Sequence, residues 1–239
     1  MSCILHIETS TVVCSVALSL SGEVIYSNVS FDGPSHASLV GVFVEEAINE
    51  LKGRGLTLDA VAVSSGPGSY TGLRIGVSIA KGICFGYGIP LISVSTLRLL
   101  TVAAVQRKVM DSAALYCPML DARRMEVYSA IYDSMLRPVR EIQAEIITED
   151  SYASLLKQSE VCFFGNGAAK CKPLITSLNA TFLEDIHPLA INMIPLAEKA
   201  FQENQFVDVA YFEPFYLKEF QATIAKNKVI NDALKEAKK

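Results

Sequence analysis

Apolar and polar positions at the start of the chain follow a pattern that predicts three successive β-strands. Cys3–Glu8 is a short apolar run. Residues 13–20 alternate, so that successive side chains would face opposite sides of a sheet. Ser21 and Gly22 then separate this run from a third one at 23–30. Two strand-like runs joined by a two-residue turn of this kind indicate a β-hairpin.

Apolar residues spaced three and four apart next predict an amphipathic helix that begins near Pro34 and ends at Gly53. Its apolar stripe is Leu39, Val40, Phe43, Val44, Ala47, Ile48 and Leu51. Strands and helices then alternate: we expect a strand at 59–64, a helix at 71–87, a strand at 89–94 and a helix from Ser95 or Thr96 to about Gln106. Three meandering strands followed by this alternation predict an α/β fold, a mixed sheet with helices on its faces.

The second half of the chain opens in the same strand-rich way, which indicates a duplicated architecture. We predict strands at 115–120, 125–133 and 138–147, a helix at 148–157, a strand at 161–164 and a short helix at 195–202 that has Pro195 in its first turn. From 217 to 239 the pattern is again helix-like. We therefore expect two related domains, 1–106 and 107–216, followed by a C-terminal helix or tail at 217–239.

Composition narrows the classes of function. The chain has 239 residues, of which 51% are hydrophobic, and a net charge of −4. It therefore lacks the basic surface that autonomous binding to nucleic acid or to anionic membranes requires. Six cysteines without a CxxC pair suit a reducing compartment. With no signal peptide and no apolar run near ~20 residues, we expect a cytoplasmic protein.

The strongest local motif runs from Ser65 to Gly76, between a predicted strand and a predicted helix. It lacks the Gly-Lys-Ser/Thr ending of a P-loop and the glycine spacing of a dinucleotide fingerprint. In the helix, Gly72, Gly76 and Ala80 recur every fourth residue. Helical glycines cost about 0.5–1 kcal/mol each relative to alanine, so this small-residue row indicates close approach of another backbone. Spacing alone leaves open whether that backbone belongs to the same chain or to another subunit.

Three further motifs give weaker signals. Glu8 and the hydroxyl residues after it could hold a metal-bound phosphate or simply form a turn. His36 has no histidine or carboxylate three or four residues further on, so a metal site is not expected. Asp121, Arg123, Arg124 and Glu126 crowd one turn, either as a salt-bridged hairpin or as the polar wall of an interdomain cleft.

Three segments, IETSTVVCSVAL, SSGPGSYTGLRIGVSIAKG and MLDARRMEVYSAIYD, together with the later GNG and EPFYLK, resemble the TsaB (YeaZ) family. The resemblance implies two domains of the actin-like (ASKHA, RNase H-like) superfamily. It also implies a non-catalytic subunit that binds and activates the paralogue TsaD, together with the ATPase TsaE. The product of such a complex is N6-threonylcarbamoyladenosine at position 37 of tRNAs that read ANN codons, and this chain would contact tRNA only indirectly.

The resemblance also implies roles for particular residues. His36 matches the first metal-binding histidine of TsaD, but the second position is Val40, so we expect no catalytic, cofactor or metal residue in this chain. ATP would bind only at an interface shared in the complex. In isolation the chain would form a homodimer. The expected docking face consists of Gly72, Leu73, Gly76, Val77 and Ala80 of the glycine-rich helix, with Leu39 and Phe43 of the preceding helix.

Two other functions remain as alternatives. A free-standing actin-like enzyme would bind ATP between the loops at 9–11 and 66–69. A glycoprotease-type metalloprotease is the weaker alternative, because the sequence shows neither a metal pair nor a nucleophile beside a base.

Overall fold

The computed structural model describes residues 2–33 and 36–217, with the backbone alone at 36 and 37. The predicted start of the first helix at Pro34, the side chain of His36 and nearly all of the predicted C-terminal helix or tail lie outside the described residues. None of the helices in the described part of the chain could span a lipid bilayer.

The first sheet has the predicted mixed arrangement, with strand order β3-β2-β1-β4-β5. Its strands are β1 (Cys3–Glu8), β2 (Cys14–Leu20), β3 (Glu23–Ser30), β4 (Ala60–Gly66) and β5 (Leu91–Ser95). Strands β1, β2 and β3 pair antiparallel as consecutive hairpins, and β4 and β5 join parallel to β1. Helix α1 (His36–Gly53) connects β3 to β4 and α2 (Tyr70–Tyr87) connects β4 to β5, while α3 (Thr96–Gln106) leads from β5 to the second sheet.

The second sheet repeats this topology, with strand order β10-β9-β6-β7-β8. Its elements are β6 (Leu115–Asp121), β7 (Glu126–Tyr132), β8 (Pro138–Ile146), α4 (Ala153–Leu156), β9 (Val161–Phe164), α5 (Ala168–Cys171) and β10 (Ala180–Leu183). The predicted duplication is therefore confirmed. The helix predicted at 148–157 is shortened to the four residues of α4, and the sequence pattern missed β10 and α5, because segments of four residues carry too little periodicity.

The last described helix, α6 (Ala190–Gln202), begins five residues earlier than predicted. Pro195 therefore lies inside the helix, where it removes one backbone hydrogen bond. Met193 and Ala197 are fully buried against β1, β4 and β5, and this apolar contact offsets the loss.

Helix α6 follows the second sheet in the sequence but packs on the first. It shares a core with α3 on one face of that sheet, while α1 and α2 cover the other face. Val207 then forms a bridge with Leu91 of β5. The predicted division at 106 separates the two sheets, but it assigns α6 and the following segment to the second unit, whereas their contacts are with the first.

Candidate functional site: the two faces of the glycine-rich helix

Helix α2 begins where the glycine-rich loop folds back on the turn between β1 and β2. The amide of Ser69 donates to the carbonyl of Ser10 at 2.6 Å. The Ser69 hydroxyl caps the helix by accepting a hydrogen bond from the amide of Gly72 at 3.2 Å. Gly68 has no room for a side chain, because a Cβ atom there would collide with the carbonyl of Ser10. The loop and the turn are thus in direct contact.

The predicted small-residue row faces this turn and not the solvent. A Cβ atom on Gly72 would collide with the carbonyl oxygen of Thr9, and one on Gly76 would collide with the Thr9 hydroxyl. That hydroxyl donates to the carbonyl of Gly72 at 2.7 Å. Ala80 is also buried. The backbone that the row lets approach belongs to the same chain.

The expected docking face is therefore wrong as a surface. All five of its α2 members are buried in the described chain: Gly72, Leu73, Gly76, Val77 and Ala80. Phe43 of α1 is only 7% exposed and belongs to the same core, against which the half-buried Leu39 packs. These side chains stabilise the fold and offer almost no area to a partner.

The opposite face of α2 carries a second small-residue row that the sequence analysis missed. Ser78, Gly82 and Gly86 recur every fourth residue, and all three are exposed. A Cβ atom on Gly82 or Gly86 would meet no heavy atom within 4 Å. Phe85 lies between them with 85% of its surface exposed. We call Ser78, Gly82, Phe85 and Gly86 the outer face.

Helix α1 packs beside α2 and has exposed small and apolar residues of its own. Gly41 is another helical glycine with open space around its Cα, and the neighbouring Val42 is 47% exposed. Close packing within the described chain explains Gly72 and Gly76. It does not explain Gly41, Gly82 and Gly86, each of which costs helix stability without filling a tight space.

A C-terminal strap (residues 207–217) fixes the flank of α2 next to the outer face. Lys81 donates to the carbonyl of Ala210 at 3.0 Å. Arg74 donates to the hydroxyl of Tyr216 at 3.1 Å, and its guanidinium lies 4.2 Å from the centroid of the Tyr70 ring. The strap and the β1–β2 turn together hold α2 in one orientation.

A buried carboxyl lies under the β1–β2 turn. Glu8 is fully buried, and one of its oxygens accepts the amide of Ser10 at 2.6 Å. Burial raises the pKa of Glu8 to about 7, although the hydrogen bond from the amide of Ser10 opposes this shift. Neither the hydroxyl of Ser10 nor that of Ser64 reaches the carboxyl with hydrogen-bond geometry, and the second carboxyl oxygen has no partner in the described part of the chain. The sequence motif had indicated this residue but not its burial.

The two loops that an autonomous phosphate site would need are packed against each other, since Gly68 contacts Ser10. Glu8 points at the backbone of its own turn. The residues therefore do not fit a phosphate or its metal at this place. Among the described residues, no three histidine, cysteine or acidic side chains cluster as a metal site. Val40, where the resemblance implied that a metal-binding histidine is replaced, is buried in the core.

Comparison with known proteins gives consistent matches over most of the chain. The family model described as TsaD: tRNA N6-adenosine threonylcarbamoyltransferase matches residues 32–226. The tRNA threonylcarbamoyladenosine biosynthesis protein TsaB of Haemophilus influenzae is 31% identical over 225 residues, which cover 90% of this chain and 93% of that protein. TsaB of Escherichia coli is 32% identical over 225 residues, which cover 90% of this chain and 94% of that protein. The solved structure of YeaZ from Pseudomonas aeruginosa has a TM-score of 0.73 and 26% identity, with 91% and 100% coverage.

Proposed function

The chain belongs to the TsaB family, and we propose that it is a non-catalytic subunit in the synthesis of N6-threonylcarbamoyladenosine in tRNA. The role in this biosynthesis follows from the relatives that carry the name TsaB. The proposal goes further in one respect: the chain binds the catalytic paralogue TsaD, with the ATPase TsaE joining them, and activates it.

The observation that carries this proposal is the open small-residue row on the outer face. Gly82 and Gly86 leave the backbone of α2 uncovered over one helical turn, and Phe85 exposes a large apolar ring beside them. A partner helix can approach such a surface closely, and an exposed aromatic ring next to it supplies the kind of anchor that dominates binding energy. The orientation of α2 is held from behind by Thr9, so the surface is preformed.

A non-catalytic role is supported by the chemistry of the described residues. The position of the second metal histidine is the buried Val40, and the β1–β2 turn is occupied by its contact with the glycine-rich loop. Any ATP would then bind at an interface shared in the complex. In the absence of the paralogue, a second copy of this chain would cover the same outer face, so homodimer and complex would exclude each other.

Reconstitution tests the proposal directly. The chain is mixed with TsaD and TsaE of the same organism, the mass of the assembly is measured in native conditions, and modification of an unmodified tRNA transcript is followed with each component omitted in turn. We expect an assembly that contains this chain and modification that requires it. Modification at the same rate without the chain would contradict an activating role, and modification by this chain alone would contradict a non-catalytic one.

A further inference from the structure

The turn between β6 and β7 contains two arginines with positive φ angles, a backbone conformation that side chains other than glycine rarely adopt. Arg123 and Arg124 have φ angles of 69° and 50°, which places two successive non-glycine residues in the left-handed region. The loop is three residues long, 123–125, between the hydrogen-bonded Ala122 and Glu126, and such φ angles are costly for arginine because its side chain crowds the backbone. Both arginines are exposed at the tip of the hairpin.

The strained turn is held from below entirely through backbone atoms of these two residues. The amide of Arg123 donates to the Asp121 carboxylate at 3.0 Å. Lys170 donates to the carbonyls of Arg124 at 2.7 Å and Glu126 at 2.6 Å, and also to the carboxylate of Asp121. Nothing in this set of contacts requires an arginine side chain at either position.

The contacts of Lys170 also affect the charge at the tip of the β6–β7 hairpin. Lys170 forms an ion pair with Asp121, the acidic residue that precedes the loop. In residues 2–33 and 36–217, neither guanidinium makes a hydrogen bond or an ion pair. Within the described residues, the hairpin therefore presents two adjacent arginines without an ion pair, in a chain whose net charge is −4.

The support beneath the turn is itself specific. Asn166 accepts the amide of Asp121 at 3.0 Å, and Gly165 and Gly167 lie so close to β6 that a Cβ atom on either would collide with its backbone. A strained conformation persists only where its surroundings over-determine it, and such positions concentrate at functional sites.

We propose that Arg123 and Arg124 contact the phosphodiester backbone of the tRNA directly. This inference rests on the proposed function, which brings a polyanion to the complex. The planar guanidinium forms paired hydrogen bonds with phosphate oxygens, and two of them on a fixed tip match neighbouring phosphates. An acidic protein surface could also bind the two arginines, but the tRNA is the partner with the higher density of negative charge.

The test replaces the pair by residues that adopt a positive φ at low cost, Arg123→Asn with Arg124→Gly. Because the supporting contacts are made by the backbone, the variant keeps them and loses strain, so its Tm should rise by about 4 °C. Its affinity for an unmodified tRNA transcript, measured in the assembled complex, should fall about tenfold. The slope of log affinity against log salt should shrink by about 1.5, which is two phosphate contacts.

Two controls sharpen the result. Lys157→Gln with Lys199→Gln removes the same charge elsewhere and should leave the salt slope unchanged. Arg123→Lys with Arg124→Lys keeps the charge and should restore most of the slope. All titrations use complexes of equal occupancy, measured by native mass, so that a loss of tRNA affinity is not confused with a loss of assembly; if the wild-type complex does not assemble, the proposed function fails and the inference fails with it.

Unchanged tRNA affinity and slope in the Asn-Gly variant would overturn the inference while leaving the proposed function intact. Failure of that variant to join the complex would overturn it too and assign the arginines to an acidic protein partner.

Discussion

The hydroxyl of Thr9 donates a hydrogen bond to the carbonyl of Gly72 across 2.7 Å, and the space for this contact exists because Gly72 and Gly76 have no side chains. The inner row of α2 therefore serves the fold. The outer face is the surface left for a partner, and the two sides of one helix have different reasons for their small residues.

Alanine substitutions distinguish the two rows in the isolated chain. Gly76→Ala should lower the free energy of unfolding by about 1–3 kcal/mol, because its methyl group collides with Thr9. Gly82→Ala should raise it by about 0.5–1 kcal/mol, because alanine favours the helix and meets nothing. Urea unfolding of both variants measures the difference. Equal effects of the same sign would contradict the assignment of inner and outer sides.

Glu8 predicts a pH dependence of stability. Its pKa in the folded chain is about 7, above the usual value of 4.5 for glutamate, so the folded state holds the proton more tightly than the unfolded state. The stabilising contribution is complete below about pH 4.5 and is lost as the pH rises through about 7. Glu8→Gln has no charge to bury, so its stability relative to the wild type should increase over this range by about 3 kcal/mol.

The wild type must be compared with Glu8→Gln at each pH, because His6 changes the stability with pH in the opposite direction. Burial lowers the pKa of His6 to about 3 from 6.5, so the stability associated with its neutral form is lost as the pH falls below about 6.5. Wild type and Glu8→Gln share this histidine, and subtraction removes it. If the difference between their unfolding free energies does not change from pH 4.5 to 8, the pKa of Glu8 is not raised in the folded chain.

A polar cluster on the second sheet should matter for stability. Arg140 donates to the carboxylate of Glu145 at 2.6 Å, to Ser129 at 2.9 Å and to Tyr152 at 3.1 Å. Arg140→Met leaves a carboxylate that is only 21% exposed without its cation, and should cost about 2 kcal/mol after allowance for solvent. Arg140→Met with Glu145→Gln should cost less than the sum of the single changes in a double-mutant cycle of thermal unfolding. Strict additivity would show that the pair is not coupled.

Much of the fold could be predicted from the sequence because the strands and long helices carry strong periodicity. The hairpin at Ser21 and Gly22 and the alternation up to Gln106 are examples. The return of α6 to the first sheet could not be predicted, because it depends on contacts between Met193 and residues more than a hundred positions away. Strand β10 could not be predicted either, because its four residues are recognised as a strand only by their pairing with β9.

Only one part of the candidate site on α2 could be predicted from the sequence. Spacing identified the row Gly72, Gly76 and Ala80 but not the direction it faces. A usable signal was present, because Leu73 and Val77 lie on the same arc of the helix and mark it as the buried side. The outer face could then have been found as the opposite arc. Burial of Glu8 had no such signal, because a carboxylate at a strand end usually reaches solvent.

Titration of labelled TsaD with this chain tests the central claim most directly. Gly82→Arg places a long charged side chain on the outer face without touching the core, and Gln202→Arg makes a comparable change at the exposed end of α6 as a matched control. We expect Gly82→Arg to weaken binding by at least about tenfold while Gln202→Arg stays within about twofold of the wild type. Wild-type affinity of a folded Gly82→Arg variant would contradict the assignment of the outer face.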